Sequence, residues 1–235
     1  MKQHLVILFT IAFFSLSAQP FNGTLGLRYV EEGGFPHTAQ ISVNDSCFYV
    51  AVTAGGNGKH SAYLLNTRSG QLHCFIEGTS KVVKMPMKLV VKMYEENKLR
   101  EGFAANTSQT YAAGANSKEV NGMRLQHKTA SVKSSAFQVW EAPLAINMAE
   151  LLPLLRLAGL WNDVQDGNQV ILEATRTNSA TQKTATITMT AEKKKLPATT
   201  FSVPEKAEVI DLEKLIAGES KKPDFPALLQ AFAGF

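Results

Sequence analysis

The chain has 235 residues, a formal charge of +4, and 45% hydrophobic residues, a composition ordinary for a globular protein with a sizeable core. The charge excess is small, and Lys193-Lys194-Lys195 is the single dense basic run. Such a run at a strand end marks a solvated edge that discourages pairing between molecules, so a nucleic-acid partner is not expected.

Residues 1–19 have the pattern of a secretory signal peptide: Lys2 and His4, an apolar run from Leu5 to Leu16, and the small-x-small triplet Ser15-Leu16-Ser17. The apolar run is shorter than the ~20 residues that span a bilayer, and no cysteine follows the cleavage site. The expectation is an exported, periplasmic or secreted protein that is neither transmembrane nor lipid-anchored. Removing Lys2 with the signal lowers the formal charge from +4 to +3.

Strand patterns then follow one another. Phe21 to Tyr29 alternates, with Leu25 and Leu27 on one face. Thr38 to Asn44 places Ala39, Ile41 and Val43 inward, and Ser46 to Thr53 has Phe48, Val50 and Val52 on one side. Ser61 to Asn66, Gln71 to Glu77 and Lys81 to Tyr94 continue the series, with Met85-Pro86-Met87 implying a bulge, break or edge in the last. Gly55-Gly56-Asn57-Gly58 lacks the Lys-Ser/Thr of a phosphate loop and fits a hairpin tip. The polar stretch Glu95 to Lys118 reads as a long loop, with at most a short strand near Thr110-Tyr111. If the runs holding Cys47 and Cys74 flank a third strand, they lie two ladder spacings apart, ~9–10 Å. A disulfide needs Cα atoms within ~7 Å, so two buried free thiols are expected.

The stretch from Glu119 to Leu160 organises the rest. Asn121-Gly122 is a hairpin turn signal because both residues tolerate positive φ, and strand patterns at Met123 to Lys128 and Ala136 to Trp140 follow it. Asn147 with Glu150 makes a helix N-terminus, after which Met148, Leu151, Leu152 and Leu155 share a face. Pro153 inside that helix costs ~3 kcal/mol. Burying each leucine returns ~1.5–3 kcal/mol, so the helix is expected over Asn147 to Ala158.

Beyond it, Asp166-Gly167 is a turn, Asn168 to Arg176 a strand, and Thr184 to Glu192 alternates Ala185, Ile187, Met189 and Ala191 with a threonine ladder. Phe201-Ser-Val-Pro204 reads as a closing strand. Val209, Leu212, Leu215 and Ile216 predict a short helix, and Leu228, Leu229 and Phe232 another. The predicted fold is mainly β (α+β): a curved antiparallel sheet or incomplete β-barrel wrapping one central helix, with short C-terminal helices. Its divisions are signal peptide 1–19, half-barrel 20–204 and tail 205–235.

No catalytic, metal or cofactor motif is present. The histidines at 4, 37, 60, 73 and 127 are scattered, and neither His-Glu-x-x-His, Cys-x-x-Cys nor Gly-x-Ser-x-Gly occurs. Glu141, Glu150, Asp163 and Asp166 surround the central helix but suit a strand end, a cap and turns. No enzyme activity is expected. What remains is apolar surface: Leu25, Leu27, Val50, Met123, Phe137, Val139, Leu151, Leu155, Ile187 and Met189 are the candidate lining of the space between helix and sheet. Methionine is over-used where a surface accepts varied apolar partners, though gap-filling in a curved core is its more frequent role.

In its order of parts, the sequence resembles the outer-membrane lipoprotein carrier fold. At Val120-Asn-Gly-Met123, Val139-Trp140 and Phe201-Ser-Val-Pro204 it is similar to a family of small exported Gram-negative proteins defined by a domain of unknown function. The similarity runs from Phe21 to Ile210, and Met123 departs from the aromatic residue usual after that glycine. The resemblance to the carrier fold implies a half-barrel that shelters lipoprotein acyl chains on its concave face. The expected function is a periplasmic, non-catalytic binding or carrier protein for an apolar ligand, with a lipid or acyl chain as partner. The alternative is a cell-envelope structural or protein-interaction module with a filled core and no ligand.

Overall fold

The computed structural model describes residues 20–53, 60–76, 78–92, 112–132, 135–158, 160 and 169–218. The signal segment, the Gly55–Gly58 tip, residues 93–111, Trp161 to Gly167 and the tail beyond Gly218 lie outside the described residues.

β1 (Gly23–Glu31), β2 (His37–Val43), β3 (Cys47–Thr53), β4 (His60–Asn66), β5 (Gln71–Phe75) and β6 (Lys81–Pro86) form an antiparallel meander from the sheet's centre to one side. A helical stretch at 87–92, α1, follows. β7 (Ala112–Val120) then starts the opposite edge, and β8 (Met123–Val132) and β9 (Ser135–Ala142) lead to the central helix α2 (Met148–Leu157). β10 (Val170–Asn178) and β11 (Thr184–Lys193) complete the return to β1. A 3₁₀ turn (Ala198–Phe201), β12 (Glu208–Asp211) and α3 (Leu212–Ile216) end the described chain. The result is one curved, open, 12-stranded sheet in the order β12-β6-β5-β4-β3-β2-β1-β11-β10-β9-β8-β7. The mainly β, incomplete-barrel fold expected from the sequence is therefore present.

The β7–β8 turn forms as the sequence predicts. Asn121 and Gly122 take φ of 52° and 74°, and Val120 pairs with Met123 across them. After β9 the chain is pinned by the Phe21 amide, which donates to the Ala145 carbonyl at 3.0 Å. α2 then starts with the Glu150 and Leu151 amides donating to the Asn147 carbonyl, and Pro153 sits within it. Its Met148, Leu151, Leu154, Leu155 and Leu157 are buried in the same core as Leu25, Ile41 and Val50.

Four local expectations change. The strand expected over Lys81 to Tyr94 stops at Pro86, where the missing N–H ends the ladder, and the chain turns helical. The loop expected up to Lys118 contains β7 from Ala112. The closing strand expected at Phe201–Pro204 does not form: Phe201 ends a 3₁₀ turn and 202–204 pair with no strand; the last strand is β12, which includes Val209 and pairs parallel to β6. Residues 208–211 therefore belong to the sheet, not to a separate helical tail.

Cys47 and Cys74 are buried free thiols. β4 lies between them, and the register puts Cys47 opposite Asn66 but Cys74 opposite Tyr63, three residues further along and on the other face. Burial pushes the Cys74 pKa up to about 12, so the thiol stays protonated and inert.

Candidate functional site

Directly opposed residues in an antiparallel ladder share a face, so the register identifies the interior surface strand by strand. Val50 opposes Ile41, which opposes Leu25. Leu27 opposes Met189. Ile187 opposes Ala174, Ala174 opposes Val139, and Phe137 opposes Arg176. α2 covers this face. Leu25, Val50, Leu151 and Leu155 have no exposed surface, and Leu27, Ile187, Met189, Phe137 and Val139 retain 5% or less. The structure thus brings these nine candidate lining residues into one apolar layer under α2.

Met123 stands at the margin of this layer. It alternates in phase with Leu125 and His127, and His127 opposes Trp140, the neighbour of Val139 in β9. By register Met123 therefore shares the face of Leu125 and Trp140, and it is partly buried, packed against the same core as the nine. The sequence pattern of β8 could not decide this, because its apolar positions look inward until the partner strand is known.

The interior face also carries charge at its β8 end. Lys128 opposes Val139, and its Nζ lies 2.8 Å from Oε2 of Glu141, whose side chain is fully buried. Arg124 and Gln126, in phase with Lys128, are exposed. The apolar layer is thus bounded by a polar rim. Glu141, which reads as a plain strand end in the sequence, is an internal ionic group; its clue was a carboxylate in phase with Phe137 and Val139.

Beside the start of α2 is a cleft of about 240 Å³ walled by Phe21, Val43, Phe48, Ile146, Asn147 and Glu150. Beside it the Asn44 side chain holds the β2–β3 turn: its Oδ1 accepts from the Ser46 and Cys47 amides at 2.9 and 2.7 Å.

The outer face is different chemistry. A row crosses six strands: Thr38, Arg28, Thr188, Glu173, Trp140 and His127. The Lys118 ammonium lies 4.3 Å from the Trp140 ring centroid and pairs with Glu173. The His127 and Trp140 rings are 4.8 Å apart. His73 is half-buried between Leu64 and Lys84; burial, then the Lys84 charge, lower its pKa and keep it neutral near pH 7. Among the described residues, no three His, Cys, Asp or Glu side chains converge as a metal site. Among them, too, no helix is long and apolar enough to cross a membrane.

No protein-family model and no curated protein matches the chain. Solved structures similar to it include an uncharacterized conserved protein from Thermus thermophilus, at 8% identity over 81% of this chain and 91% of that one, with a TM-score of 0.46. LprF from Mycobacterium bovis is similar at 7% identity over 80% of this chain and 90% of that one, with a TM-score of 0.35. PNGF-II matches at 9% identity and a TM-score of 0.39, over 90% of this chain but only 32% of its own length. At such identities and TM-scores these likenesses carry no argument about function.

Proposed function

We propose that the chain is an exported, non-catalytic binding or carrier module of the Gram-negative cell envelope that takes an apolar ligand, such as an acyl chain, against the interior face of its open sheet. The observation that carries this reading is the continuous apolar layer from Val50 through Leu25, Leu27, Met189, Ile187 and Val139, covered by a single helix instead of a second sheet. A one-helix cover joined through the 143–147 segment can be displaced without breaking any ladder, whereas a sandwich could open only by pulling one sheet off the other.

The test is to incubate the recombinant chain with a fluorescent fatty acid while following amide exchange. Dye uptake with loss of protection in 148–157 is the expected result, together with co-purifying lipid in native mass spectrometry. Apo protein only, with no dye uptake, would remove the carrier reading.

A second reading has its own support. Leu151, Leu154 and Leu155 have no exposed surface, so α2 already fills the face it covers. An envelope interaction module with a closed core needs nothing more. It predicts that α2 keeps its exchange protection whatever apolar probe is added, and that crosslinking in envelopes recovers a protein partner.

A further inference from the structure

We propose that the groove between α1 and α3 is a second binding site, for a single-chain amphiphile with a carboxylate headgroup. The groove is a consequence of how the sheet ends. Pro86 stops β6 and sends the chain into α1. β12 pairs parallel to β6, and Asp211 at its end caps α3 by accepting from the Glu213 and Lys214 amides. The two short helices thus leave the same edge of the sheet with a space of about 510 Å³ between them. That lies within the ~300–1,000 Å³ of small-molecule sites.

Its walls divide by chemistry. Pro86, Leu89, Ile216 and Ala217 supply the apolar part. Leu212 and Ile216 lie one turn apart on α3; Leu212 is in the core, but Ile216 is 69% exposed where the same face runs out over the groove. The charged lining residues are Lys88 and Lys92 from α1 and Glu213 from α3. Lys88 and Lys92 are spaced i, i+4, so both side chains stand on one side of the helix, and the Lys88 ammonium can meet a carboxylate there. Glu213, on the opposite wall, repels an anion there and so directs the headgroup to the α1 rim. The apolar chain is left to run along Leu89, Ile216 and Ala217. A neutral apolar ligand would use none of these lysines, and a cationic one would meet two like charges.

This site goes beyond the interior-face reading and does not depend on it, since α2 can stay closed while the groove is occupied. The experiment titrates the full chain with monomeric dodecanoate and, in parallel, with dodecyltrimethylammonium, which has the same chain and the opposite charge. Dodecanoate is expected to bind more tightly and to shift the Ile216 methyl signals. The K88E/K92E variant should lose roughly tenfold or more in dodecanoate affinity, as removal of charge-assisted contacts does, and Ile216→Ser should weaken both probes. Lys88, Lys92 and Ile216 are exposed, so circular dichroism should show all variants folded. Equal affinity for the two headgroups would overturn the proposal. So would a failure of dodecanoate to bind, as when the chain's own C-terminal segment fills the groove. Dodecanoate binding that ignores both variants but loosens α2 would also overturn it, and would leave the interior-face reading standing alone.

Discussion

β11 and β8 lie in one sheet, three strands apart, and obey opposite rules. In β11 the interior positions Ala185, Ile187 and Met189 are buried, while Thr186, Thr188 and Thr190 on the outer face are exposed. In β8 the positions that share the interior face by register are Arg124, Gln126 and Lys128, whereas Leu125, on the other side, has no exposed surface. Between them β10 carries a bulge, where the register shifts between Ile171 and Glu173 and three successive residues, Val170, Ile171 and Leu172, are buried. A bulge bends its strand and increases the local twist. The apolar interior therefore does not follow one geometric face of the ladder across all strands. It is continuous from β3 to β9, and beyond that the buried side changes.

The largest effects should come from testing that exchange directly. Ile187→Ala and Leu125→Ala should each cost ~2–5 kcal/mol by denaturant unfolding, although they lie on opposite faces of the ladder. Thr188→Ala, the neighbour of Ile187, should change stability by no more than ~0.5 kcal/mol. If Leu125→Ala behaved like Thr188→Ala, the buried side would not switch at β8.

Next comes the internal charge. Lys128→Met removes the ammonium beside a fully buried Glu141 carboxylate. Leaving a buried charge without its counter-ion costs ~3–5 kcal/mol, and partial exposure of Lys128 puts this case at ~3 kcal/mol. Pairing it with Glu141→Leu should recover most of the loss, because an apolar pair suits a site in phase with Val139. A double variant no more stable than Lys128→Met alone would mean that Glu141 serves the fold through other contacts.

These regions also show what could be read in the residues. β1, β3 and β11 were legible because their period-2 patterns coincide with one face that is buried along its length. β7 was not: Ala112 to Val120 is an edge strand with mostly exposed positions, so it lacks an apolar alternation to announce it. The Val82-Val83 and Val90-Val91 pairs looked like one strand, and only the position of Pro86 hinted that the second pair belongs to a helix. Val209 fitted a helical spacing with Leu212 and Leu215, yet it lies in β12, opposite Val82 of β6, where an edge strand extends the ladder before α3 begins. Of the candidate site, the nine residues from strands with clear partners and from α2 fell together. Met123 packs against that core from the other face of the ladder, a side set by a register that no single strand encodes.

The two sheet edges give the smaller tests. At β12, the Asp211 carboxylate accepts from the Glu213 and Lys214 amides and pairs with Lys84 at 3.1 Å. Burial would raise its pKa, but the Lys84 hydrogen bond and the cap amides outweigh it and hold the group below the ordinary aspartate range. A depressed folded-state pKa means stability that is present above the unfolded value of ~3.9 and lost as pH falls through the folded value. Amide protection in 208–216 should therefore fall selectively under acid, and Asp211→Ala should cost ~1 kcal/mol at neutral pH and remove that acid step. An unchanged acid profile in the variant would place the step on another carboxylate.

At the other edge, β7 is held from the outer face. Lys118 reaches across β8 to lie over Trp140 and to pair with Glu173 of β10, so one side chain ties an edge strand to the two strands beyond its neighbour. Exposed cation–π contacts and surface ion pairs are each worth ~0.5–1 kcal/mol at most, so Lys118→Ala should barely move the global unfolding midpoint. Its effect should be local: faster amide exchange in 117–120 and in the facing part of β8, where the ladder is regular. Lys118→Arg should restore protection, because a guanidinium can stack on the indole and still reach Glu173. Equal loss in the Ala and Arg variants would show that the aliphatic stem over Trp140, not the charge, fastens β7. The edge would then be held by the same apolar packing that secures β11, and the contrast between the two ends of the sheet would narrow to the Lys128–Glu141 pair.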